Sequence, residues 1–493
     1  MTTGITVTPK EAMSLAIQHQ QAGRLDAAER LYRQMISLDP SNPDVLNLLG
    51  LTLLKRNRRQ EAANLFRQAV AVRADIAEYQ VNLGRALRDK PQLKEAEAAL
   101  RRAVELKPTL ANAWTNLGAV LSRQERPQEA IECYRRALEI DPNDADAHTN
   151  IGVSLFDMGA YEESIVEHRT ALRIRPDFPV AHLNLAMPLL LLGREEEGWE
   201  HYEWRSQCDG LPKHNFRQPM WDGAPLEGKK LMLYTEQGLG DAIQFARFVP
   251  VAARQGGRIT VVCQNELKSL FSTLAGADEV RDRKDPLPEF DVFAPVMSLG
   301  RILKVRVADV PGQTPYLYAD PALAAAWDQR LACNGAGLKV GLVWAGSPGH
   351  RKDTERSMRL EDYAPLAGVH GVNFYSLQKG AAAEQLRHPP QGMRIIDVAP
   401  EFKTMADTAA CMRNLDLVIS VDTSACHVAG ALARPVWVLL PARAPWGWGL
   451  NGSTTSWYPS MRLFRQETPL QWATPVKQVA DALRELVAAA GGK

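Results

Sequence analysis

The apolar positions of this chain follow two different periods. From about residue 9 to 212, small and large residues recur every 34 positions, which predicts stacked helical hairpins. Two positions of the period are small, and they hold Gly50, Gly84, Gly118, Gly152 and Ala186 in one register and Ala28, Ala62, Ala96, Ala130, Ser164 and Gly198 in the other. A third is mostly large, at Tyr32, Phe66, Leu100, Tyr134, His168 and Tyr202. Small residues let two helices approach closely while large ones fill the space beside them, so we expect six hairpins stacked into a superhelix with a concave groove.

The unit "ANAWTNLGAVLSRQERPQEAIECYRRALEIDPND" resembles a tetratricopeptide repeat. Asparagines occupy one register on the first helices, two residues before the small position, at Asn82, Asn116, Asn150 and Asn184. An asparagine ladder of this kind offers donors and acceptors that could hold the backbone of an extended peptide. The alternative is that these asparagines cap or bridge neighbouring helices. Asn47 lies one residue early and puts the first rung in question.

After about residue 204 the period is lost in a segment rich in Pro, Gly and Trp, and we interpret residues 213–228 as a linker. Beyond it, short apolar runs such as "KKLMLYTE", "RITVVCQ" and "FDVFAPV" alternate with amphipathic segments of helix length. The same alternation resumes after about residue 337 with "LKVGLVWAG", "VNFYSLQ" and "LDLVISVD". It predicts an α/β fold with parallel sheets, in two domains over 229–335 and 336–493. Ligands are expected in the cleft beyond the carboxyl ends of the strands.

The first strand is followed by "TEQGLGDAIQF". Gly238 and Gly240 would let the backbone turn tightly and approach a ligand before a helix begins near Asp241. Asp241 would then face the cleft, where a carboxylate could accept the proton of an attacking hydroxyl. The alternative is that Asp241 merely caps the helix.

Three further groups of polar residues follow strands in the second half. The loop "WAGSPGHRKDTERSM" supplies Arg356 and Ser357 as candidate anion contacts. "SLQKG" adds Gln378 and Lys379, and the lysine could neutralise a diphosphate or a leaving-group oxygen. "SVDTSACHVAGALARPVWVLLP" predicts a strand, a turn and a helix, with a candidate phosphate site at Asp422, Thr423, Ser424 and His427. The alternative for this last group is a capping segment followed by a buried histidine.

Charge and composition narrow the function. Lys and Arg number 58 against 57 Asp and Glu, so no global field favours nucleic acid or an anionic membrane. The six cysteines lack metal or redox spacing, no apolar run is long enough to cross a bilayer, and the N-terminus does not read as a signal peptide. We therefore expect a cytoplasmic location. No Asp-x-Asp motif follows a strand in the second half, which argues against a metal-bound diphosphate, so we expect no metal. We also expect no cofactor.

The motifs of the second half, in this order behind the repeats, resemble those of bacterial repeat-bearing proteins related to glycosyltransferase family 9, the heptosyltransferases. The resemblance implies a GT-B architecture of two facing Rossmann-like domains, with the nucleotide-sugar donor in the C-terminal one. It implies a general base at Asp241, donor contacts at Asp422, Thr423, Ser424 and His427, and Gln378 and Lys379 near the diphosphate. The arrangement is also similar to O-GlcNAc transferase and to repeat-bearing flagellin glycosyltransferases, which implies a protein acceptor recruited by the repeats.

One segment departs from the family pattern. Relatives often have Asp-Trp-Arg-Trp after the "LLP" strand, whereas here Pro445 and Gly447 replace the charged pair. This departure favours one alternative, a non-catalytic repeat scaffold with a degenerate GT-B domain. Another alternative is a transferase that acts on a lipid or polysaccharide.

Overall fold

The computed structural model describes residues 8–89, 91–208, 216–306, 309, 314–332, 335–350 and 352–491. The chain divides into two compact units, Met1–Pro188 and Leu189–Lys493. The first is helical, and the second contains the sheets.

Twelve helices of the described chain form six consecutive pairs, which confirms the predicted repeat architecture. Their bounds are α1 Pro9–Gln21, α2 Leu25–Leu38, α3 Pro43–Lys55, α4 Arg59–Val72, α5 Ala77–Ala86, α6 Leu93–Leu106, α7 Ala111–Arg123, α8 Pro127–Ile140, α9 Ala145–Asp157, α10 Tyr161–Ile174, α11 Pro179–Leu191 and α12 Glu195–Tyr202. The sixth pair crosses the boundary between the units, because α12 belongs to the second one.

The small and large registers of the repeat meet inside the second to fifth hairpins. A Cβ built on Gly118 of α7 would lie 2.6 Å from the ring of Tyr134 on α8, which is closer than real atoms approach. His168 fills the corresponding position opposite Gly152. The predicted pairing of small with large residues is therefore the packing rule of this unit.

The first sheet of the second unit is parallel, with strand order β3-β2-β1-β4. Its strands are β1 Lys230–Tyr234, β2 Arg258–Cys263, β3 Glu279–Asp282 and β4 Val292–Pro295. Helices α13 Leu239–Ala246, α14 Val249–Ala253, α15 Asn265–Phe271 and α16 Leu299–Ile302 accompany it, while α17 Pro321–Ala332, next in the chain, packs against a helix of the second sheet. The sequence analysis missed β3, because its "EVRD" is half-buried and has no apolar run.

The second sheet is also parallel, with order β10-β9-β8-β5-β6-β7. Its strands are β5 Leu338–Val343, β6 Val372–Ser376, β7 Ile395–Asp397, β8 Leu417–Val421, β9 Val436–Leu440 and β10 Met461–Arg465. The accompanying α-helices are α18 Asp353–Arg356, α19 Met405–Arg413, α20 Ser424–Ala431 and α21 Ala473–Gly491. Short 3-10 helices are Glu203–Gln207, Val296–Ser298, Leu360–Gly368, Ala381–Arg387, Ala399–Glu401 and Trp446–Trp448. The solenoid followed by an α/β unit confirms the predicted fold class.

Both sheets change direction of strand order at one point. In the first sheet β1 lies between β2 and β4, and in the second β5 lies between β6 and β8. Crevices outside the carboxyl ends of strands at such switch points are where open parallel sheets bind ligands. The sequence analysis found its candidate site residues in the segments that follow β1, β5, β6 and β8.

The segment predicted as a linker, 213–228, does not remain separate from the sheets. Residues 213–215 lie outside the described part of the chain. Beyond them, the Trp221 amide donates to the Phe293 carbonyl of β4 at 2.8 Å, and Trp221 and Leu226 are buried. Apolar side chains in this Pro- and Gly-rich stretch thus extend the core of the first sheet.

Candidate active site

Asp241 lies in the first turn of α13, directly after the switch point of the first sheet. The helix begins at Leu239, two residues earlier than predicted, and Asp241 Oδ2 accepts a hydrogen bond from the Gly238 amide at 3.2 Å. Gly238 has a φ of −66°, so this turn does not require a left-handed residue. The capping role considered for Asp241 is therefore realised.

The surroundings of Asp241 make its carboxyl group a weaker acid than usual. Burial, followed by the negative charge of Asp422, raises the pKa of Asp241 to about 6, against the opposing effects of the Gly238 amide and Arg356. A carboxyl group with this pKa is mostly ionised at neutral pH and still basic enough to accept a proton from a hydroxyl.

The second candidate segment leads from β8 into α20. Asp422 is buried, with a pKa raised by burial and counteracted by a hydrogen bond from the Trp448 side chain. Its main-chain carbonyl accepts from Arg356 Nη1 at 3.2 Å. Thr423 and Ser424 are half-buried at the helix start, where free amides and the helix dipole favour an anion.

His427 lies one turn into α20 and is held from several sides. Its Nδ1 lies 3.0 Å from the Tyr458 hydroxyl, its Nε2 lies 3.9 Å from Asp422 Oδ1, and its ring stacks on Trp448 at 5.3 Å between centroids. Burial, with a smaller contribution from Arg247, lowers the pKa of His427 to about 3. The imidazole is therefore neutral at physiological pH.

Helices α13 and α20 bring residues of the two sheets together. A Cβ on Gly240 would lie 3.0 Å from His427 Cδ2 and 3.7 Å from Ser424 Cα. A glycine at this position thus permits close contact between the helices, and with it the electrostatic interaction between Asp241 and Asp422. Sequence analysis assigned Gly240 to ligand approach, whereas the structure shows it at a helix–helix contact.

The loop after β5 forms an internal network around Asp353. Its Oδ1 accepts from Arg356 Nε at 3.2 Å and from Ser357 Oγ at 3.0 Å, and Ser357 Oγ in turn accepts from the Gly346 amide at 2.9 Å. Arg356 reaches the Asp422 carbonyl and is therefore part of the same site. Ser357 mainly holds the loop. Arg351 lies outside the described residues.

Gln378 has a structural role that the sequence analysis did not foresee. Its amide oxygen accepts from the amides of Trp344 and Ala345 at 3.0 and 2.9 Å. Its amide nitrogen donates to the carbonyls of Ala345 and Lys379 at 3.0 and 2.9 Å. All four hydrogen-bonding positions of the side chain are used. Gln378 therefore joins the ends of β5 and β6, and the predicted contact with the diphosphate has no free atom to make it.

Lys379, in contrast to Gln378, is exposed and makes one hydrogen bond through its side chain. Its Nζ donates to the Phe402 carbonyl at 2.8 Å and the residue is exposed. The remaining ammonium protons are free to meet an anion, and its contact with a donor diphosphate stays a prediction.

Three residues that the sequence analysis did not single out complete the site: Trp448, Tyr458 and Arg247. Arg247 is fully buried among the rings of Tyr316, Trp457 and Tyr458, at 4.6 to 5.3 Å, and in the described structure its two terminal nitrogens have no hydrogen-bond partner. The cation is stabilised by the ring faces instead. Because these contacts join residues far apart in the chain, no local pattern could have revealed them.

The segment that departs from the family pattern is an ordered part of this site. Arg465 Nη2 and Nη1 donate to the carbonyls of Trp448 and Gly449, and its Nε donates to that of Gly452 at 3.0 Å. Trp448 contacts His427 and Asp422, as described above. Pro445 and Gly447 therefore lie in a turn that supports the predicted donor residues.

One group of described side chains has the composition and spacing of a metal site. The ligand atoms of Asp422, Cys426 and His427 lie within 4.8 Å of one another. Cys426 Sγ is 2.9 Å from the Thr423 carbonyl, and the other two side chains contact Trp448 and Tyr458. The expected independence from metal stays a prediction.

The asparagines of the repeats do not behave alike. Asn82 is buried, and its Nδ2 donates to Asn47 Oδ1 at 2.9 Å, so this rung bridges neighbouring helices. Asn47, which lies one residue out of register, is the hydrogen-bond partner of Asn82 and does not interrupt the row. Asn116 Nδ2 donates to the Asn112 carbonyl at 2.6 Å. Asn150 and Asn184 are half-buried, and peptide binding by this row stays a prediction.

None of the helices in the described part of the chain has the length and apolarity needed to cross a bilayer.

Comparison with known families matches two regions of the chain. Residues 2–207 match the model described as the Cilia and flagella-associated protein 70 C-terminal domain, a tetratricopeptide-type model. Residues 364–450, which include β8, α20 and the 446–448 turn, match glycosyltransferase family 9 (heptosyltransferase). The chain thus has a tetratricopeptide-type N-terminal region, and its C-terminal part contains a region that matches glycosyltransferase family 9.

Among individual proteins, the chain is similar to Protein FlbA of Caulobacter vibrioides, with 29% identity over 317 residues, or 59% of this chain and 53% of FlbA. The match therefore spans about half the length of this relative. Two solved structures resemble part of this chain, each with a TM-score of 0.31. MamA is 27% identical over 33% of this chain and 94% of its own, and YrrB, a TPR protein with an unusual peptide-binding site, is 26% identical over 35% and 88%.

Proposed function

We propose that the second unit is a glycosyltransferase of GT-B architecture that moves a sugar from a nucleotide-sugar donor to a hydroxyl group. The observation that carries this proposal is the contact between α13 and α20, which brings the carboxyl group of Asp241 close to Asp422 at the start of α20. A proton acceptor and an anion-binding helix terminus are the two elements that such a transfer needs.

The donor diphosphate binds at the N-terminus of α20 in this proposal. The free amides at the helix start and the hydroxyl groups of Thr423 and Ser424 donate to its oxygens. Arg356 and Lys379 supply positive charge, so that no metal ion is required to stabilise the leaving group. His427 stays neutral and shapes the pocket, with Trp448 stacked on its ring.

Transfer then takes one proton and one sugar. Asp241 accepts the proton of the acceptor hydroxyl while the oxygen of that hydroxyl forms a bond to the anomeric carbon of the sugar. The bond from that carbon to the phosphate oxygen breaks, and the nucleoside diphosphate leaves with the electron pair. The raised pKa of Asp241 suits the carboxylate to this role near neutral pH.

The acceptor is a protein recruited by the repeats in our proposal, because stacked repeats offer an extended binding surface. Asn116, Asn150 and Asn184 are candidates to hold its backbone. The scaffold alternative relied on the altered segment at Pro445 and Gly447. The contacts of Trp448 with Asp422 and His427 instead support a donor pocket that can bind its ligand.

The test begins with binding and turnover by the full chain. Nucleotides and nucleotide sugars are screened by thermal shift and calorimetry, and release of nucleotide is followed with the bound class. Asp241→Asn should retain nucleotide affinity and lower turnover by about 10² to 10⁴-fold, the usual contribution of a general base. Asp422→Ala should lose nucleotide binding.

A matched control is available for Asp241. Asp407 holds the same third position of a helix, α19, and accepts from the Thr404 amide at 2.8 Å. Asp407→Asn removes a similar cap and should leave turnover unchanged. If no nucleotide or nucleotide sugar binds the folded wild-type chain, or if Asp241→Asn matches the control, the proposed function is wrong.

A further inference from the structure

The last helix of the repeat pattern makes contacts that the other repeat helices cannot be expected to make. We call residues 195–207, which comprise α12 and the 3-10 helix after it, the brace segment. By sequence period it completes the sixth repeat, yet it belongs to the second compact unit. Its buried side chains touch two parts of the candidate active site.

Arg205 occupies the switch point of the first sheet. It is 1% exposed, and its Nε and Nη2 donate to Glu236 Oε1, just after β1, at 2.8 and 2.5 Å. Nη2 also donates at 2.8 Å to Ser298 Oγ, just after β4, and Nη1 donates to Glu203 Oε1 at 3.0 Å. One guanidinium thus joins the ends of β1 and β4.

The loop between β1 and α13 is held from a second direction. Gln237 Nε2 donates to the Tyr202 hydroxyl of the brace segment at 3.3 Å. Gln264 Nε2 donates to the Gln237 carbonyl at 2.9 Å, and Thr235 Oγ1 donates to Gln264 Oε1 at 2.6 Å. Residues 235–238, which lead to Asp241, are therefore anchored residue by residue, and we call them the base loop.

The other end of the brace segment reaches the donor side. The ring of Trp199 meets Trp446 edge-on at 5.3 Å and Phe245 of α13 at 5.9 Å between centroids. Trp446 belongs to the same 3-10 turn as Trp448, whose ring stacks on His427. Trp199 therefore contacts both α13, which carries Asp241, and the turn that supports the predicted donor residues.

We propose that the brace segment is a positioning element of the active site. Arg205 and Tyr202 hold the base loop in position through hydrogen bonds, and Trp199 holds the 446–448 turn against α13 through ring contacts. The inference rests on the proposed function and deepens it, because it makes a helix with the repeat signature part of the catalytic unit.

The physical reason is geometric precision. All three guanidinium nitrogens of Arg205 donate hydrogen bonds, mostly to carboxylates. Breaking one of these buried, charge-assisted hydrogen bonds costs free energy, so the Arg205 network favours one arrangement of the strand ends. A shift of about 1 Å in a reacting group can cost about 10²-fold in rate. Loss of the network should therefore impair turnover more than donor affinity.

The experiment uses the full chain with two variants and two matched controls. Arg205→Lys keeps the charge and loses the forked geometry, and Trp199→Ala removes the ring. Arg58→Lys is the control for the first, since Arg58 pairs with the buried Glu29 in the repeats. Trp221→Ala is the control for the second, because Trp221 is a buried tryptophan at the edge of the first sheet. Hydrogen exchange, turnover and nucleotide affinity are measured for each.

We expect Arg205→Lys to speed amide exchange in residues 235–241 and to lower kcat by about 10 to 10²-fold while nucleotide affinity stays within about twofold. Trp199→Ala should speed exchange in residues 446–450 and weaken nucleotide affinity by about fivefold or more. The controls should change neither region, and neither kcat nor affinity.

The inference is overturned if, in an active enzyme, Arg205→Lys and Trp199→Ala leave amide exchange in residues 235–241 and 446–450 unchanged. It is also overturned if the control variants change this exchange equally. A wild-type chain that binds no nucleotide overturns the proposed function instead. In that case the exchange data still decide whether the brace segment holds the two segments, so the two failures are distinguishable.

Discussion

At the scale of single residues, the candidate site depends on two carboxyl groups from different sheets. Asp241 is held by the amide of Gly238 and Asp422 by the side chain of Trp448. Each is partly or fully withdrawn from water, and the charge of Asp422 adds to the effect of burial on the pKa of Asp241. Their proximity follows from the close contact at Gly240.

This electrostatic interaction predicts the pH dependence of turnover. Because a general base acts in its ionised form, kcat at saturating donor should fall as the pH drops through about 6, the pKa of Asp241. Asp422→Asn removes a nearby negative charge, which lowers the pKa of Asp241, so the acidic limb should move to lower pH. The measurement is kcat against pH for the wild type and the variant.

Asp407→Asn serves here as the control and should leave the acidic limb in place. An acidic limb near the ordinary pKa of an aspartate in the wild type, or one that Asp422→Asn does not move, would contradict the predicted interaction between the two carboxyl groups.

At the scale of elements, the repeat hairpins pack a small residue against a large one, and in one hairpin the large residue is a buried histidine. His168 of α10 takes the place held by Tyr134 in α8 and Phe66 in α4, and it is 1% exposed. In the described structure neither of its ring nitrogens has a hydrogen-bond partner. Burial lowers the pKa of His168 to about 4.

His168→Phe should therefore stabilise this hairpin, by about 1–3 kcal/mol at pH 7, because it removes unsatisfied buried nitrogens. Below pH 6.5 the unfolded chain takes up a proton that folded His168 does not accept until about pH 4. Wild-type stability should thus fall by up to about 3 kcal/mol between pH 6.5 and 4, and the variant should lose this dependence. Hydrogen exchange of α9 and α10, corrected for intrinsic rates, measures both effects.

The reciprocal variant Phe66→His provides the control. It should lower the stability of α3 and α4 and introduce the same pH dependence there. A His168→Phe variant that is less stable at pH 7, or equally sensitive to acid, would mean that His168 has a favourable partner in solution.

At the scale of the whole molecule, the two compact units have separate hydrophobic cores. One core runs through the repeat helices around Phe66, Leu100 and Tyr134, and another lies under the second sheet around Trp344 and Tyr363. Chains with separate cores commonly unfold in more than one step.

We expect two calorimetric transitions for the full chain. A bound nucleotide should raise only the transition of the second unit, by about 2.7 kcal/mol at a hundredfold excess over its Kd. Tyr134→Ala should lower only that of the first, by about 3–5 kcal/mol, because it leaves a cavity in the repeat core. A single transition shifted by both changes would show that the units unfold together.

Local patterns in the sequence were sufficient for the architecture. The 34-residue period and the alternation of apolar runs with helical segments predicted the helix pairs and all strands except β3, because burial on one face or on both leaves a period in the sequence. The strand ends also indicated candidate segments for a ligand site, since ligand sites in parallel sheets lie at carboxyl ends, and this assignment stays a prediction.

Tertiary structure alone decided which of those residues are available and what surrounds them. Gln378 is used up by backbone groups, Asn82 is paired with Asn47, and Arg205, Trp448 and Arg247 join the site from distant parts of the chain. Period and spacing report which side of an element is buried, but not which partner buries it. Contacts between residues far apart in sequence depend on how the elements pack, and this packing leaves no local pattern from which to predict them.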